Sequence, residues 1–164
     1  MREAAIRLVV PGTLHYRNVA VRVVAEACRL VTGGGGPGAI QADTSSAIDL
    51  ANSFDAEFVS AFSEIFNNIV IHAYERRGGG EIEMLLTPSA AGLIVEIRDH
   101  GHSFDIASVP APELDSLPEG GMGIHIARAL VDIVDYEPGA SGAAPNVWRL
   151  IKYLPPAAGS AASG

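Results

Sequence analysis

The stretch SEIFNNIVIHAY, residues 63–74, carries the strongest helical pattern in the chain. Apolar side chains recur at helical spacing through it and just before it, at Phe58, Phe62, Ile65, Ile69 and Ala73, which is typical of a helix that buries one face. We predict a helix from about Asp55 to Arg76. Ser53 or Asp55 can cap its start, and the glycine-rich Arg77–Gly80 segment ends it.

A row of polar residues accompanies this apolar stripe. Glu64, Asn68 and His72 are spaced i, i+4 and i+8, so they share one helix face. An asparagine carbonyl beside nucleotide phosphates can hold magnesium, and a carboxylate one turn away can accept a proton from an attacking hydroxyl. Spacing alone favours a simpler interpretation, a solvated helix edge. The row becomes a functional hypothesis only if other segments supply matching groups.

Two elements precede this helix. Ala5–Val10 reads as a short strand closed by Pro11-Gly12. A helix is then predicted from about His15 to Val31, with a core-facing stripe formed by Ala20, Val23, Val24, Ala27 and Val31. The interval from Gly33 to Ser53 reads as a glycine-rich loop, with one helical turn near Ala47–Ala51.

The second half of the chain reads as a hairpin, a helix and a last strand. EIEMLLT (81–87) and GLIVEIRD (92–99) alternate in polarity, and PSAAG is their hairpin turn; the inward residues are Ile82, Met84, Leu86, Leu93, Val95 and Ile97. Residues 100–121 form a loop before a helix from about Met122 to Val134. That helix is predicted to face the core with Ile126, Ala129, Leu130 and Ile133, and Val147–Leu154 is a last strand.

This order of elements predicts an α+β fold. We expect a two-layer α/β sandwich in which helices cover one face of a mostly antiparallel sheet. Residues 1–154 form one domain, and residues 155–164 lack core-forming side chains and are expected to be a disordered tail.

Asp99 stands at a position that should be apolar. It keeps the parity of Leu93, Val95 and Ile97, so its carboxylate points toward the core and costs several kcal/mol unless a donor reaches it. An adenine amino group is a donor of the right kind, and Gly101 lets another chemical group approach the backbone. The alternative is that the strand ends at Arg98 and Asp99 begins a turn.

The segment EGGMGIHIARALVDIV, residues 119–134, places glycines ahead of an amphipathic helix. Free amides at Gly120, Gly121 and Gly123, together with the positive helix end, suit a phosphate; a flexible hinge is the alternative. The chain has no P-loop, dinucleotide fingerprint or G-x-S-x-G elbow. His72, His100 and His102 do not form a zinc motif.

Composition limits the class of protein. The 164 residues are 48% hydrophobic and 18% charged, which suits one globular domain. The net charge is −8 and the bases are scattered, so nucleic acid is not an expected partner. No apolar run approaches the ~20 residues of a membrane span, no signal peptide is evident, and the single Cys28 fits a reducing cytoplasm.

Taken in order, three segments resemble the boxes of the GHKL ATPase superfamily, named for gyrase, a heat-shock chaperone, histidine kinases and a mismatch-repair protein. SEIFNNIVIHAY resembles its N box, DHGHSFD (99–105) its G1 box, and LPEGGMGIHIARALVDIVDY (117–136) its G2 box. Their detailed forms are similar to those of bacterial anti-sigma-factor serine kinases. The resemblance covers about residues 5–154.

The resemblance assigns roles within ATP and magnesium binding. It implies that Glu64 is the general base, Asn68 the magnesium ligand, and Asp99 the partner of the adenine amine. Further expected nucleotide-binding residues are His72, Gly101, Phe104, Gly120, Gly121, Met122, Gly123 and Ile124, and about Ala107–Gly120 forms the lid over the phosphates. On the last strand, where the family often has threonine facing adenine, this chain has Arg149.

The same resemblance implies a function. We expect a cytoplasmic protein serine kinase that acts as an anti-sigma factor, phosphorylates an anti-anti-sigma factor, sequesters a sigma factor and forms a homodimer. One alternative is a nucleotide-gated binding module without kinase activity. Another is the catalytic domain of a histidine kinase, which is less expected because that enzyme needs a preceding helical hairpin and this chain begins directly with its first strand.

Overall fold

The computed structural model describes residues 4–33, 53–75, 79–109, 121–140 and 143–156. Five strands and three α-helices lie in these ranges: β1 Ile6–Pro11, α1 Arg17–Thr32, α2 Ser53–Asn68, β2 Glu81–Ser89, β3 Gly92–Asp99, α3 Met122–Leu130, β4 Ile133–Glu137 and β5 Asn146–Tyr153. Short 3-10 turns cover Leu14–Tyr16 and Ile106–Ser108, and a π-turn covers Ile69–Ala73.

The strands form one sheet in the order β1-β2-β3-β5-β4, and every neighbouring pair is antiparallel. The predicted alternation is confirmed, because Ile82, Met84, Leu86, Leu93, Val95 and Ile97 are all buried beneath the helices. On the other face, Arg7 pairs with Glu83 at 2.6 Å and Glu96 pairs with Arg98 and Arg149. One sheet face is therefore apolar and buried, while the other carries these ion pairs beside exposed apolar residues such as Leu85 and Ile94, which confirms the predicted sandwich.

Helix α1 lies on the apolar face through Ala20, Val24, Ala27 and Val31, while Val23 is only partly buried. The α-helix begins at Arg17, two residues later than predicted, because Leu14–Tyr16 forms a 3-10 turn. It ends at Gly33, whose φ of 83° is left-handed and suits glycine. Cys28 is fully buried here, and burial raises the pKa of its thiol to about 12.

The end of the second helix differs from the prediction. Helix α2 begins at Ser53, so Asp55 lies in its first turn, and regular α geometry stops at Asn68. The next residues widen into a π-turn closed by the Tyr74 N–H donating to the Ile69 carbonyl at 3.1 Å. Such turns add a residue to one turn and are frequent at functional sites. Apolar spacing cannot reveal the widening, because Ile69 stays buried across it.

The predicted third helix was wrong at its end and on its buried face. Helix α3 stops at Leu130, and Ile133–Glu137 is strand β4, paired with β5. The buried residues are Ile124, Ala127 and Val131. Of the predicted stripe, Leu130 is half-buried and the rest, Ile126, Ala129 and Ile133, are exposed. Isoleucine and valine at 131–134 fit both helical and strand periods, and strand pairing prevails.

Several predictions fall outside the ranges given above. They concern the loop after Gly33 with its turn at Ala47–Ala51, residues 76–78, Gly120 with most of the predicted lid, and the tail beyond residue 156. Within the described ranges, none of the helices has the length and hydrophobicity that crossing a membrane requires.

Lys152 joins three elements at the far end of the domain. Its Nζ donates to the Leu130 carbonyl at 2.8 Å and pairs with Glu57 at 2.6 Å, with its side chain 15% exposed. We expect Lys152→Met to lower the free energy of unfolding by about 1–3 kcal/mol, because a carboxylate and a helix-terminal carbonyl lose their cation. Urea denaturation measures the change.

The matched control is Arg7→Met, which breaks the exposed Arg7–Glu83 pair on the charged sheet face. It should leave the free energy of unfolding nearly unchanged, because solvent screens that pair. Equal losses of unfolding free energy in the two variants would contradict the role of Lys152 in holding α2, α3 and β5 together.

Candidate functional site

A cavity of about 230 Å³ opens between the end of α2 and the centre of the sheet. Its wall is formed by Asn68, Ile69, His72, Ala73, Asp99, His102, Phe104, Val109, Gly121, Ile124, Tyr136, Asn146 and Trp148. Segments that are far apart in the chain, the three predicted boxes and the last strand, therefore meet around one space. Of the predicted site residues, six contribute to this wall: Asn68, His72, Asp99, Phe104, Gly121 and Ile124.

Asp99 is the buried acid of this cavity. It ends β3 with 1% of its surface exposed, as its parity with the core residues predicted. Its Oδ1 accepts from the Asn146 amide at 2.8 Å and from the Gly101 N–H at 2.9 Å. Its Oδ2 accepts no hydrogen bond from the part of the chain that the structure describes. Burial raises the pKa of Asp99, and the two donors to Oδ1 oppose that rise.

Asn146 is the principal site residue that the sequence analysis missed. It lies directly opposite Asp99 in the β3–β5 register and is 2% exposed. Beyond its bond to Asp99, it accepts from the Gly139 N–H at 2.9 Å and from the Ser103 hydroxyl at 2.6 Å. Extending the predicted last strand by one residue, and keeping the parity of Trp148 and Leu150, would have identified it.

Arg149 does not face the cavity, and its predicted placement on the adenine side was wrong. The register pairs Arg149 with Glu96, and its guanidinium contacts Glu96 at 3.2 Å and Asp135 at 3.8 Å on the charged sheet face. Side chains alternate along a strand, so the inward positions on β5 belong to Asn146, Trp148 and Leu150. The strand residue facing Asp99 is Asn146.

Three aromatic rings form the apolar wall. The Phe104 and Tyr136 centroids are 4.8 Å apart, and those of Tyr136 and Trp148 are 4.5 Å apart. The Tyr136 hydroxyl accepts from the Phe104 N–H at 3.2 Å, and burial raises its pKa, so it stays a neutral phenol. Tyr136 was missed because its strand, β4, was predicted as helix. The wall offers flat apolar surface beside one carboxylate oxygen.

Tyr74 fastens the π-turn to the sheet. Its hydroxyl donates to the Glu81 carbonyl at 2.8 Å and accepts from the His100 N–H at 3.0 Å. Its ring lies against Gly12 and Gly80, where an added Cβ would lie within 2.6 Å of ring atoms. The end of α2 is therefore locked to the strand ends that carry Asp99.

Gly101 is a packing glycine. A Cβ there would lie 2.4 Å from the Ala73 carbonyl oxygen, which accepts from the His102 N–H at 2.8 Å. The group that approaches this glycine is thus the π-turn itself, and Gly101 is not part of the cavity wall. Gly101 supports the site by allowing the loop after β3 to contact the π-turn.

Glu64 lies beside the cavity rather than on its wall. A Cβ at Gly123 would lie 2.7 Å from Glu64 Oε2 and 3.5 Å from Asn68 Nδ2, so α3 contacts α2 at the two predicted polar residues. Asn68 Nδ2 is buried and has no hydrogen-bond partner within the described ranges. A buried amide without a partner is costly, so Asn68 is a group available to a ligand.

The start of α3 borders the same space. Its N-cap residue, Gly121, has a φ of 90° and no side chain that could cap the helix start. The first amides of a helix lack intrahelical partners and attract anions. Gly121 and Ile124 line the cavity, whereas Met122 and Gly123 do not.

Comparison with known proteins agrees with this geometry. The profile of the family described as "Histidine kinase-like ATPase domain" matches residues 20–144. The chain is 33% identical over 82 residues to "Serine-protein kinase RsbW" of Bacillus subtilis. The match covers 45% of this chain and 51% of that protein. The match to RsbW of Oceanobacillus iheyensis has the same identity and covers 45% of this chain and 52% of that protein. The chain spans about half the length of the curated relatives it matches.

Gly101→Ala tests the contact between the loop and the π-turn. We expect it to lower the free energy of unfolding by about 1–3 kcal/mol, because the new methyl group overlaps the Ala73 carbonyl. Gly79→Ala is the matched control, since nothing lies within 4 Å of its Cβ position. Urea denaturation of both variants gives the comparison, and an unaffected Gly101→Ala protein would refute the packing role.

Asp99→Asn tests the cost of the buried carboxylate. Because the folded pKa is raised from 3.8, the folded state holds its proton more tightly than the unfolded state. The contribution of Asp99 to stability should therefore fall as the pH rises through the interval between the unfolded and folded pKa values. We expect Asn to remove this loss and to raise the free energy of unfolding at pH 7 without ligand.

The measurement is the difference in unfolding free energy between wild type and Asp99→Asn across acid pH. A difference that does not change with pH would contradict a raised pKa at Asp99.

Proposed function

We propose that this chain, which belongs to the histidine kinase-like ATPase domain family, is an ATP- and magnesium-dependent protein serine kinase and anti-sigma factor. It phosphorylates a serine of an anti-anti-sigma factor, sequesters a sigma factor, and acts in the cytoplasm as a homodimer. The observation that carries the proposal is the buried Asp99 carboxylate, with one oxygen unbonded by the described residues, in an aromatic cavity.

At the base end, Asp99 Oδ2 accepts a hydrogen bond from the adenine amino group. That bond stabilises a carboxylate whose burial is otherwise costly. The rings of Phe104, Tyr136 and Trp148 provide the flat apolar surface that a purine requires. Both features support ATP as the ligand.

At the phosphate end, the first amides of α3 hold anionic oxygens and Asn68 supplies a magnesium ligand. The magnesium ligand would be Asn68 Oδ1, whereas the unpartnered Nδ2 is a donor that suits a phosphate oxygen. The N-cap residue of α3 is Gly121, which has no side chain to occupy the helix start. Bound magnesium would neutralise negative charge on the phosphates. The resemblance of the sequence boxes supports Gly121, Met122 and Gly123 as the residues that close over the phosphates.

Glu64 is the proposed catalytic base. The serine oxygen forms a bond to the γ-phosphorus, the bond from that phosphorus to the β,γ-bridging oxygen breaks, and ADP leaves. Glu64 accepts the serine proton, while the α3 amides hold the transferring phosphoryl group. Its position on α2, one turn before Asn68, supports the assignment.

The choice of serine as acceptor rests on the relatives, which are named serine-protein kinases. The sigma factor, the anti-anti-sigma substrate and the homodimer rest on the resemblance of the three sequence boxes to anti-sigma-factor kinases.

A second candidate is a nucleotide-gated binding regulator without kinase activity. One observation favours it: Glu64 packs against Gly123 and is not part of the cavity wall. In that case ATP binding alone would alter partner affinity, with no phosphoryl transfer.

Glu64→Gln separates the two candidates. If Glu64 is the base, phosphate transfer from labelled ATP to an anti-anti-sigma protein should fall about 10²–10⁴-fold. ATP affinity should change little, because Glu64 does not line the cavity. Fluorescence of Trp148, the chain's single tryptophan, measures binding directly since its ring forms part of the wall.

The control is Glu26→Gln, which removes an exposed carboxylate from α1 and should leave both transfer and binding unchanged. A wild-type protein that binds ATP yet labels no serine would support the binding regulator. A fully active Glu64→Gln protein would remove Glu64 from the mechanism.

A further inference from the structure

His102 is an aromatic ring of the cavity wall to which the sequence boxes assign no role. It lines the cavity, yet its side chain is 77% exposed. The rings of Tyr136 and Trp148 in the same wall are buried, and Phe104 is partly buried. A wall residue that keeps most of its side chain in solvent lies at the mouth, so His102 borders the opening of the cavity.

Two contacts hold His102 at this mouth. Its N–H donates to the Ala73 carbonyl at 2.8 Å, which ties its backbone to the π-turn. Its Nε2 lies 3.7 Å from Oε1 of Glu75. Glu75 has a left-handed φ of 48°, which is uncommon for a residue with a Cβ and is often found at functional sites. The imidazole is therefore restricted before any ligand arrives, and a restricted ring loses less entropy on binding.

The neighbours of His102 place it at the base end of the proposed nucleotide site. It follows Asp99 by three residues and precedes Phe104 by two, and both of these residues line the cavity. His72, the other exposed residue of the wall, lies in the π-turn, four residues after the proposed magnesium ligand Asn68. A base that packs one face on the buried rings turns its other face toward the mouth, where His102 lies.

We propose that His102 is a ligand-contacting residue that stacks its imidazole on the outer face of the bound base. The inference rests on the proposed ATP site. Imidazole is a flat ring, and stacking of a base on a flat side chain tolerates every kind of base. His102 therefore adds affinity for the nucleotide and leaves the choice of base to other residues of the wall.

His102→Ala tests this contact. Calorimetry with ADP and with ATP, both with magnesium, should show the two affinities falling by the same factor of about five, because both ligands present the same base to the ring. His102→Phe keeps a flat ring but can neither donate a hydrogen bond nor carry a charge. It should bind both nucleotides within about twofold of wild type, since it still offers an aromatic face.

His100→Ala is the matched control. His100 lies two residues earlier in the same loop, is exposed and does not line the cavity, so its loss should leave both affinities unchanged. The free energy of unfolding without ligand should be nearly equal for wild type and His102→Ala, because the side chain removed is mostly in solvent. A clear loss of stability in His102→Ala would indicate a structural role and would overturn the inference.

Unchanged affinities in His102→Ala would also overturn the inference, while the ATP site itself would stand. The same holds if His102→Phe binds as weakly as His102→Ala, since a polar contact to the sugar or the phosphates would then explain the loss. A wild-type protein that binds neither nucleotide would overturn the proposed function, and the inference with it.

Discussion

The carboxylate of Asp99 is the constraint around which the site is organised. A nearly inaccessible acid at the end of a central strand destabilises the fold unless donors reach it. Two of the donors are internal, from Asn146 across the sheet and from the backbone of Gly101. The remaining oxygen has no donor within the described ranges, so the buried carboxylate lowers the stability of the unliganded fold. A ligand that donates a hydrogen bond to this oxygen removes that cost. This is a common arrangement for a binding site, where stability is lower so that affinity can be higher.

The second requirement is that the end of α2 keeps a fixed position relative to the strand ends beside the cavity. Tyr74 supplies it, because its hydroxyl bonds to the backbone of two strand ends and its ring lies against two glycines. The π-turn just before it turns the Ala73 carbonyl toward the loop after β3. Polar groups from the helix and from the sheet, Asn68 and Asp99, are thereby held on the walls of one cavity.

The sequence predicted the parts of this structure that depend on local periodicity. A period of two in the sequence predicted the hairpin, the burial of its alternating residues and the inward direction of Asp99. A helical period predicted the apolar stripe of α2. The errors occurred where local pattern and long-range pairing disagree. Residues 131–134 fit either a helix or a strand, and only β5 beside them decides. Tyr136 could not be placed in the site before β4 was known to pair with β5, whereas Asn146 required only a one-residue extension of the predicted last strand.

The single cysteine has a practical consequence. Cys28 is buried on the inner face of α1, and burial raises the pKa of its thiol to about 12, so it reacts slowly with maleimides and other thiol reagents. The natural sequence is therefore already suited to site-specific spectroscopy. A second cysteine introduced at an exposed position beside the cavity would carry almost all of an attached fluorophore or spin label, and ligand binding at the cavity could be followed in real time without first replacing Cys28.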